Sequence, residues 1–528
     1  MKTRYFITFI FIFLVKNMSA QNQFNEAWWM QSRNDTLPSV NLLQIKTLLN
    51  SDINQSKKVI IAVLDSDVDI NHKDLKPFLW KNKKETPNNG IDDDKNGYVD
   101  DIYGWNFLGK EDSEKSLEYT RMEETRILSK YSKEKLNRLF YRKKVPYNYH
   151  MVKSSYDTIL KDLKEDLELY KNIHSGYSQV VDTLKSISKY KYITLDNIDN
   201  IKSDDVYINQ CIAYAKDLLQ QGYTYELIKS ILDYKVNGIK VCMNLQYDNR
   251  VLVGDKPYDF CDANYGNSLN GKMASKIDHG TKVSGVIASV LHALDYKKSI
   301  EIMPLCITGI GDFLDKDLAL AIRYAVDNGA RIITLSQTKT FSLNDKKVKK
   351  AMKYAQKKGV LIIKSAGNEN LNLDNTLRFP NDVSKRGNEV LKNLLIVGAS
   401  GKTLETIKDE DSNYGMKNVD IFAPGIEINT LKPDNEYTEG SGSSYSAPIV
   451  SIIIGLIYSK YPNLTASEVK QIIMESGVSY NIMVNKPSSN KEKELVPFSS
   501  LSKSGKIVNA YNALLMAEEV SKKKKNKK

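Results

Sequence analysis

The sequence predicts an α/β protein whose mostly parallel sheet is interrupted by a helical insertion. Three observations carry that expectation. The runs KVIIAVLD, SIEIMPLCIT, ARIITLSQ, GVLIIKSA and NLLIVGAS are short and β-branched, as strands buried on both faces are. DKDLALAIRYAVDNG and NDKKVKKAMKYAQKKG are amphipathic and end in Gly329 and Gly359, so strand and helix alternate as in βαβ units. From about Lys110 to Asn249 the alternation stops. Tyr, Lys, Glu, Asp and Leu dominate there, Gly and Pro nearly vanish, and LKEDLELYKNI and INQCIAYAKDLLQQG carry helical spacing.

The elements fall in order along the chain. MKTRYFITFIFIFLVKNMSAQN has basic residues, an apolar run from about Tyr5 to Val15 and small residues before Gln21. It reads as a signal peptide over 1–20, cut after Ala20, because the run is too short to span a bilayer. An N-terminal segment over 21–56 follows, then the first part of the sheet domain (57–109), the helical insertion (110–249), the second part of the sheet domain (250–517) and a Lys-rich tail (518–528). The tail is expected to be a solvated, disordered end. The apolar stretch from Ala447 to Tyr458 is too short to cross a membrane, so no transmembrane segment is expected after removal of the signal.

A content of 41% apolar residues in 528 excludes a wholly disordered chain. The net charge of +12 suggests a nucleic-acid partner until its position is considered. Lys2, Arg4, Lys16 and the six lysines of SKKKKNKK supply most of it, and no nucleic-acid partner is expected. Cys211, Cys242, Cys261 and Cys306 fit no metal-binding spacing, and no disulfide is expected.

Chemistry concentrates in four stretches. GSGSSYSAP places Ser444 just ahead of the apolar run IVSIIIGLIY, at the start of a helix, where the dipole favours a developing negative charge. Gly442 beside it lets another backbone approach. His279, in DHGTKVSGVIASVL, also opens a helix. Asp65 ends the strand KVIIAVLD at the carboxyl edge of the sheet, where sites in such folds gather. Asn368, in SAGNEN, follows another strand. Singly, each has a bland reading as turn, cap or loop residue. An acid, a histidine and a serine in that chain order instead describe an activated nucleophile with its base and orienting acid. His72 in NHKDL, close to Asp65 along the chain, reads as structural.

VIIAVLDSDVDINHKDL, DHGTKVSGVIAS, IIKSAGNEN and SGSSYSAPIVS resemble, in order, the four signature segments of the subtilase family of serine proteases, with DSNYG and IFAPG between the third and fourth. The resemblance covers roughly Lys57 to Gly109 and Arg250 to Ala517. It implies a three-layer subtilisin-like fold and a serine endopeptidase acting on protein or peptide substrates. Ser444 would be the nucleophile, His279 the base, Asp65 its orienting acid and Asn368 the oxyanion donor. The implied location is outside the inner membrane: periplasm, cell surface or medium. The rival is a weakly active or inactive binding protein on this fold.

Several residues depart from the family pattern. HGTK puts Lys282 one turn from His279, where its charge is expected to lower the histidine pKa. Ser443, Tyr445 and Ser446 change the nucleophile segment. In ITLSQTKTF, the stretch similar to the strand that lines the family's specificity pocket, Gln337 and Thr338 follow Ser336, and these three are expected to bind substrate. NNGIDDDKNGYVDDIYGWNF and NRVLVGDKPYDFCDANYGN resemble a secreted bacterial branch with an acidic insertion after the first block. Asp92, Asp94 and Asn96 with Gly97 have the alternate-oxygen spacing of a calcium loop, and Asp100 is expected to help. Tyr103 in place of Glu at the twelfth position excludes a standard EF-hand. Calcium, if bound, is structural, and the chemistry needs no cofactor.

Overall fold

The computed structural model describes residues 27–32, 37–50, 57–110, 115–142, 144–269, 271–296, 299–384, 387–487 and 493–526. The expected signal peptide lies outside them. The described residues divide into a helical unit, Glu124–Asp248, and a sheet unit formed by the segments before and after it.

The strands of the sheet unit are β1 (Val59–Asp65), β2 (Trp105–Asn106), β3 (Asn267–Ser268), β4 (Ile300–Cys306), β5 (Ile332–Leu335), β6 (Leu361–Ser365), β7 (Leu394–Ser400), β8 (Ile421–Pro424), β9 (Ile428–Lys432), β10 (Glu436–Gly440), β11 (Val478–Ser479), β12 (Met483–Pro487), β13 (Lys493–Pro497) and β14 (Lys506–Ile507). Ten form one sheet in the order β11-β14-β8-β7-β6-β5-β1-β4-β2-β3, while β9 with β10 and β12 with β13 are hairpins. Every pairing from β14 across to β2 is parallel; only the edges, β11 with β14 and β2 with β3, are antiparallel. The central strands are buried nearly throughout, which is why their sequences read as continuous apolar runs.

Helices cover both faces. Successive side chains of β1 point to opposite sides. Ile61 lies under Gly455 of the helix Ser443–Lys460, where an added Cβ would stand 3.1 Å from the isoleucine, while Ile60 lies under Gly329, which ends the helix Asp315–Asp327. A glycine at position 455 thus lets the apolar helix lie close on the sheet. Gly329 and Gly359 have φ of +83° and +74°, the left-handed conformation of a helix C-terminal glycine. The four cysteines are free thiols.

Two expectations are corrected. The Lys-rich tail is not a disordered end: Ala510–Lys525 is a helix capped by Asn509, with Ala513, Leu514, Ala517 and Ser521 buried and Lys524 bonded to Asn463 O and Glu468. The apolar spacing of its first turns carries the helix into the lysines. The insertion also begins later than Lys110. Gly109 bridges Ser116 and Tyr119 bridges Ile310, which ties that stretch to the sheet unit.

Within the helical unit lie Lys133–Tyr141, the 40-residue helix Tyr149–Ser188, Val206–Gln220 and Tyr225–Asn237. Ser132, Asn148, Asp205 and Thr224 accept backbone N–H groups at their starts, which satisfies donors the helices leave open. The unit has its own small core around Tyr177, Val181, Leu184, Cys211, Ala215 and Ile228. Among the described residues no helix is long and apolar enough to cross a membrane.

Candidate active site

β6, β5 and β1 are neighbours, and their carboxyl ends deliver Asn368, Ser336 and Asp65 to one edge of the sheet. Asp65 is fully buried. Its Oδ1 stands 2.6 Å from His279 Nδ1 and accepts the Ser66 N–H at 2.8 Å. Asp65 Oδ2 is buried without a hydrogen-bond partner.

His279 is the first residue of the helix His279–Ala293. Ser66 fixes that helix start: its hydroxyl accepts the Gly280 N–H at 2.8 Å and donates to Ile277 O at 3.1 Å. Residue 280 must be glycine, because a Cβ there would lie 2.3 Å from Ser66 O. The imidazole keeps 29% of its side-chain surface exposed, so one edge remains open.

Burial lowers the His279 pKa and is the largest single influence, but the charge of Asp65 and its hydrogen bond together outweigh it, and the group stands above its ordinary 6.5. This overturns the lowering expected from Lys282. That lysine does act downward, but its Nζ is 2.7 Å from Asp278, whose carboxylate acts upward.

Ser444 is the second residue of the helix Ser443–Lys460. Gly442 ahead of it has φ +126°, a conformation that L side chains rarely adopt, and a Cβ there would stand 2.8 Å from Asn368 Nδ2. Ser444 Oγ donates to Ser336 O at 3.2 Å, and Ser336 Oγ donates to Ser444 O at 2.7 Å. Asn368 is oriented by the residue before the serine: its Oδ1 accepts both the N–H and the hydroxyl of Ser443 at 2.8 Å. Asn368 Nδ2 is left with no partner among the described residues. Tyr445 packs with its ring centroid 6.3 Å from that of His279.

The trio after β5 divides. Ser336 is buried and its hydroxyl is spent on the Ser444 backbone. Gln337 Nε2 turns to Asp65 Oδ1 at 3.5 Å and His279 Nδ1 at 3.3 Å. Thr338 Oγ1 lies beside Gly367, 3.3 Å from where a Cβ there would stand. His72 is buried; it bonds Glu436 O through Nε2 and accepts the Asp74 N–H through Nδ1.

The acidic loop brings three carboxylates together. Carboxylates of Glu85, Asp92 and Asp94 lie within 4.8 Å of one another. Asp100 instead accepts the N–H groups of Asn89 and Gly90, and Asn96 accepts from Tyr98 N while donating to Asp101. Glu85 thus joins two of the expected residues, Asp92 and Asp94, in a group of three carboxylates. Spacing within the loop could not reveal Glu85, seven residues before Asp92. Ser66 was likewise missed, since its hydroxyl acts on the Ile277 and Gly280 backbone that only the fold brings near, and the bond from the Ser443 hydroxyl to Asn368 also depends on the fold.

The model of the subtilase family matches residues 56–121 and 152–500. The chain is 32% identical over 215 residues to the cell wall-associated protease of Bacillus subtilis (strain 168), a stretch that is 41% of this chain and 21% of that protein. It is 26% identical over 335 residues to the thermophilic serine proteinase of Bacillus sp. (strain AK1), covering 57% of this chain and 76% of the relative. A solved lanthipeptide protease aligns at a TM-score of 0.37 and 24% identity, over 48% of this chain and 78% of that one. A match over most of the sheet unit, on a chain whose Asp65, His279, Asn368 and Ser444 converge at one sheet edge, places this protein in the subtilase family of serine-type peptidases.

Proposed function

We propose that this protein is an exported serine endopeptidase in which Ser444 attacks the substrate carbonyl, His279 moves the proton, Asp65 orients His279 and Asn368 stabilises the oxyanion. The observation that carries the reading is the 2.6 Å contact between buried Asp65 and His279 Nδ1. A proton held on Nδ1 leaves Nε2 as the base. His279 Nε2 takes the Ser444 proton as Oγ bonds to the carbonyl carbon, then gives it to the leaving amine as the peptide C–N bond breaks. A water repeats the sequence to release the acyl group. Asn368, held through its Oδ1 by Ser443, offers its unpartnered Nδ2 as a donor to the developing oxyanion, and the N-terminal end of the Ser443 helix adds its dipole. Losing one such donor costs about 10²–10³ in kcat.

The donor set of Glu85, Asp92 and Asp94 is all carboxylate, which suits a hard cation such as calcium. Such an ion would offset the clustered negative charge and stiffen the loop, with no part in the chemistry. The leader MKTRYFITFIFIFLVKNMSA supports export.

The test is labelling with a fluorophosphonate, with and without Ser444→Ala. Wild-type protein should label at Ser444 and cleave a denatured protein; Ser444→Ala should do neither. Folded wild-type protein that neither labels nor cleaves would leave a binding protein on this fold.

A further inference from the structure

Three donors converge on one oxygen of Asp65 while its other oxygen, equally buried, receives none. His279 Nδ1 and the Ser66 N–H are two of them. The third is the side-chain amide of Gln337, from the segment after the neighbouring strand β5 and 272 residues away in sequence. Its orientation is set by chemistry. With the Nδ1 proton directed at Asp65, Nδ1 accepts nothing, so the 3.3 Å approach of Gln337 to that nitrogen is contact without a bond and the favourable partner is the carboxylate.

We propose that Gln337 is a positioning residue for the Asp65–His279 pair, its amide sharing Asp65 Oδ1 with the imidazole and thereby restraining the carboxylate's pull on His279. The inference rests on the reading of Asp65 and His279 as orienting acid and base. An apolar side chain at position 337 would fill the same space but give Asp65 no donor. A donor to a carboxylate stabilises its charge and weakens its hold on a neighbouring cation. Gln337 therefore acts against the upward influence of Asp65, on the same side as Lys282.

The other groups facing the pair are accounted for. Asp278 and Lys282 stand on the histidine's own helix and pair with each other. Tyr445 faces the imidazole from the Ser443 helix, and its phenol is held neutral, its pKa pushed up by burial. The Cys306 thiol on β4, across from Asp65 in the sheet, is also held neutral by burial. Asp67, two residues beyond Asp65, is raised to about 6 by burial and accepts the Val68 and Met273 N–H groups. Among these groups Gln337 alone is a neutral donor aimed at the Asp65 carboxylate.

The experiment follows His279 by NMR titration of ¹⁵N-histidine-labelled protein in the Ser444→Ala background, which needs no turnover. Gln337→Met keeps the length and removes the donor; the His279 midpoint should rise by about half a pH unit, the scale of one weak hydrogen bond to a charged group. Gln337→Glu puts a carboxylate there and should raise it further. In the protein with Ser444 intact, the acid limb of kcat/KM should shift in each variant by as much as that variant's titration midpoint does. Midpoints that stay at the wild-type value in both folded variants would overturn the proposal. If protein with Ser444 intact does not hydrolyse peptides, the protease reading falls, while the titration midpoints still decide the role of Gln337.

Discussion

Lys339 and Lys364 are both buried in the sheet unit, close to the same sheet edge, yet on opposite electrostatic terms. Lys339 Nζ lies 3.0 Å from Glu123 and 2.8 Å from Asp315 and donates to Phe313 O. Lys316 is a second case of this kind, 3.1 Å from Asp255 and 2.9 Å from Asp262, over the ring of Tyr265. Lys364, near the end of β6, donates to Ser365 O at 3.0 Å and has no carboxylate in ion-pair range among the described residues. It borders a cavity with about 10 Å³ of room, walled by Arg378, Asn381, Asp382, Leu373 and Ile396. Burial pushes the Lys364 ammonium down to about 7 and the Asp382 carboxyl up to about 6. A charge can be buried at moderate cost when a partner is buried with it; without one, the protein gives up the charge instead.

The largest test of that contrast breaks a balanced group. Glu123→Ala removes one of the two carboxylates that hold Lys339, and denaturant unfolding should show a loss of about 3–5 kcal/mol. Adding Lys339→Met should return part of it, since the remaining cation is then gone. No loss of stability in folded Glu123→Ala would mean that the pairing contributes nothing.

Lys364 should respond the other way. Its pKa is lower in the fold than in the open chain, so the unfolded state binds more protons between about 7 and 10.5 and stability rises with pH across that window. Lys364→Met should stabilise the protein by about 2–4 kcal/mol below pH 7 and flatten the pH dependence of unfolding. A variant less stable than wild type at pH 6 would show that the ammonium is solvated after all.

The acidic loop is a cluster short of cations rather than carboxylates. Calcium at 100 times its dissociation constant should add about 2.7 kcal/mol, raising Tm, and chelator should reverse it. Glu85→Gln should weaken the response more than Asp100→Asn, because Glu85 is the residue whose oxygen joins Asp92 and Asp94. An equal response in all three proteins would place the ion elsewhere.

The smallest effect belongs to the part-exposed pair Lys282 and Asp278. Lys282→Ala should move the acid limb of kcat/KM up by less than about half a pH unit, since a nearby cation is lost from His279. Folding raises the His279 pKa, so its stabilising effect is complete below 6.5 and fades as pH rises through the folded value. A downward shift of the limb would break the account.

How much of this was legible in the sequence depends on the distance over which each residue acts. Strands buried on both faces announce themselves as apolar runs; Asp65 ends one and Asn368 follows another, while His279 and Ser444 open helices, so the sheet and these positions could be read directly. Lys282 was misjudged although its partner Asp278 sits at i−4, because one helical pair was weighed against His279 without the other carboxylates. The lysines of the C-terminal helix hid a packed face formed by Ala513, Leu514 and Ala517. Gln337 and Glu85 were beyond reach of local pattern: their contacts depend on strand order and on a loop folding back.

The strand pair β2 and β3 bears on the order of folding events. Trp105 pairs with Ser268 and Asn106 with Asn267, residues that lie on either side of the insertion along the chain. Forming either that pairing or the contact from Asp65 to His279, 214 residues apart, requires closing a long loop, which is entropically slow for an open chain. If the helical unit, with its capped helices and local core, condenses first, the chain between the two strands is already gathered and the closure spans far fewer free residues. In kinetic terms the unit would then serve as a clasp. Replacing Glu124–Asp248 by a short flexible linker should leave the refolding rate of the sheet unit little changed. Destabilising the unit in place, as by Leu184→Ala in its core, should slow it.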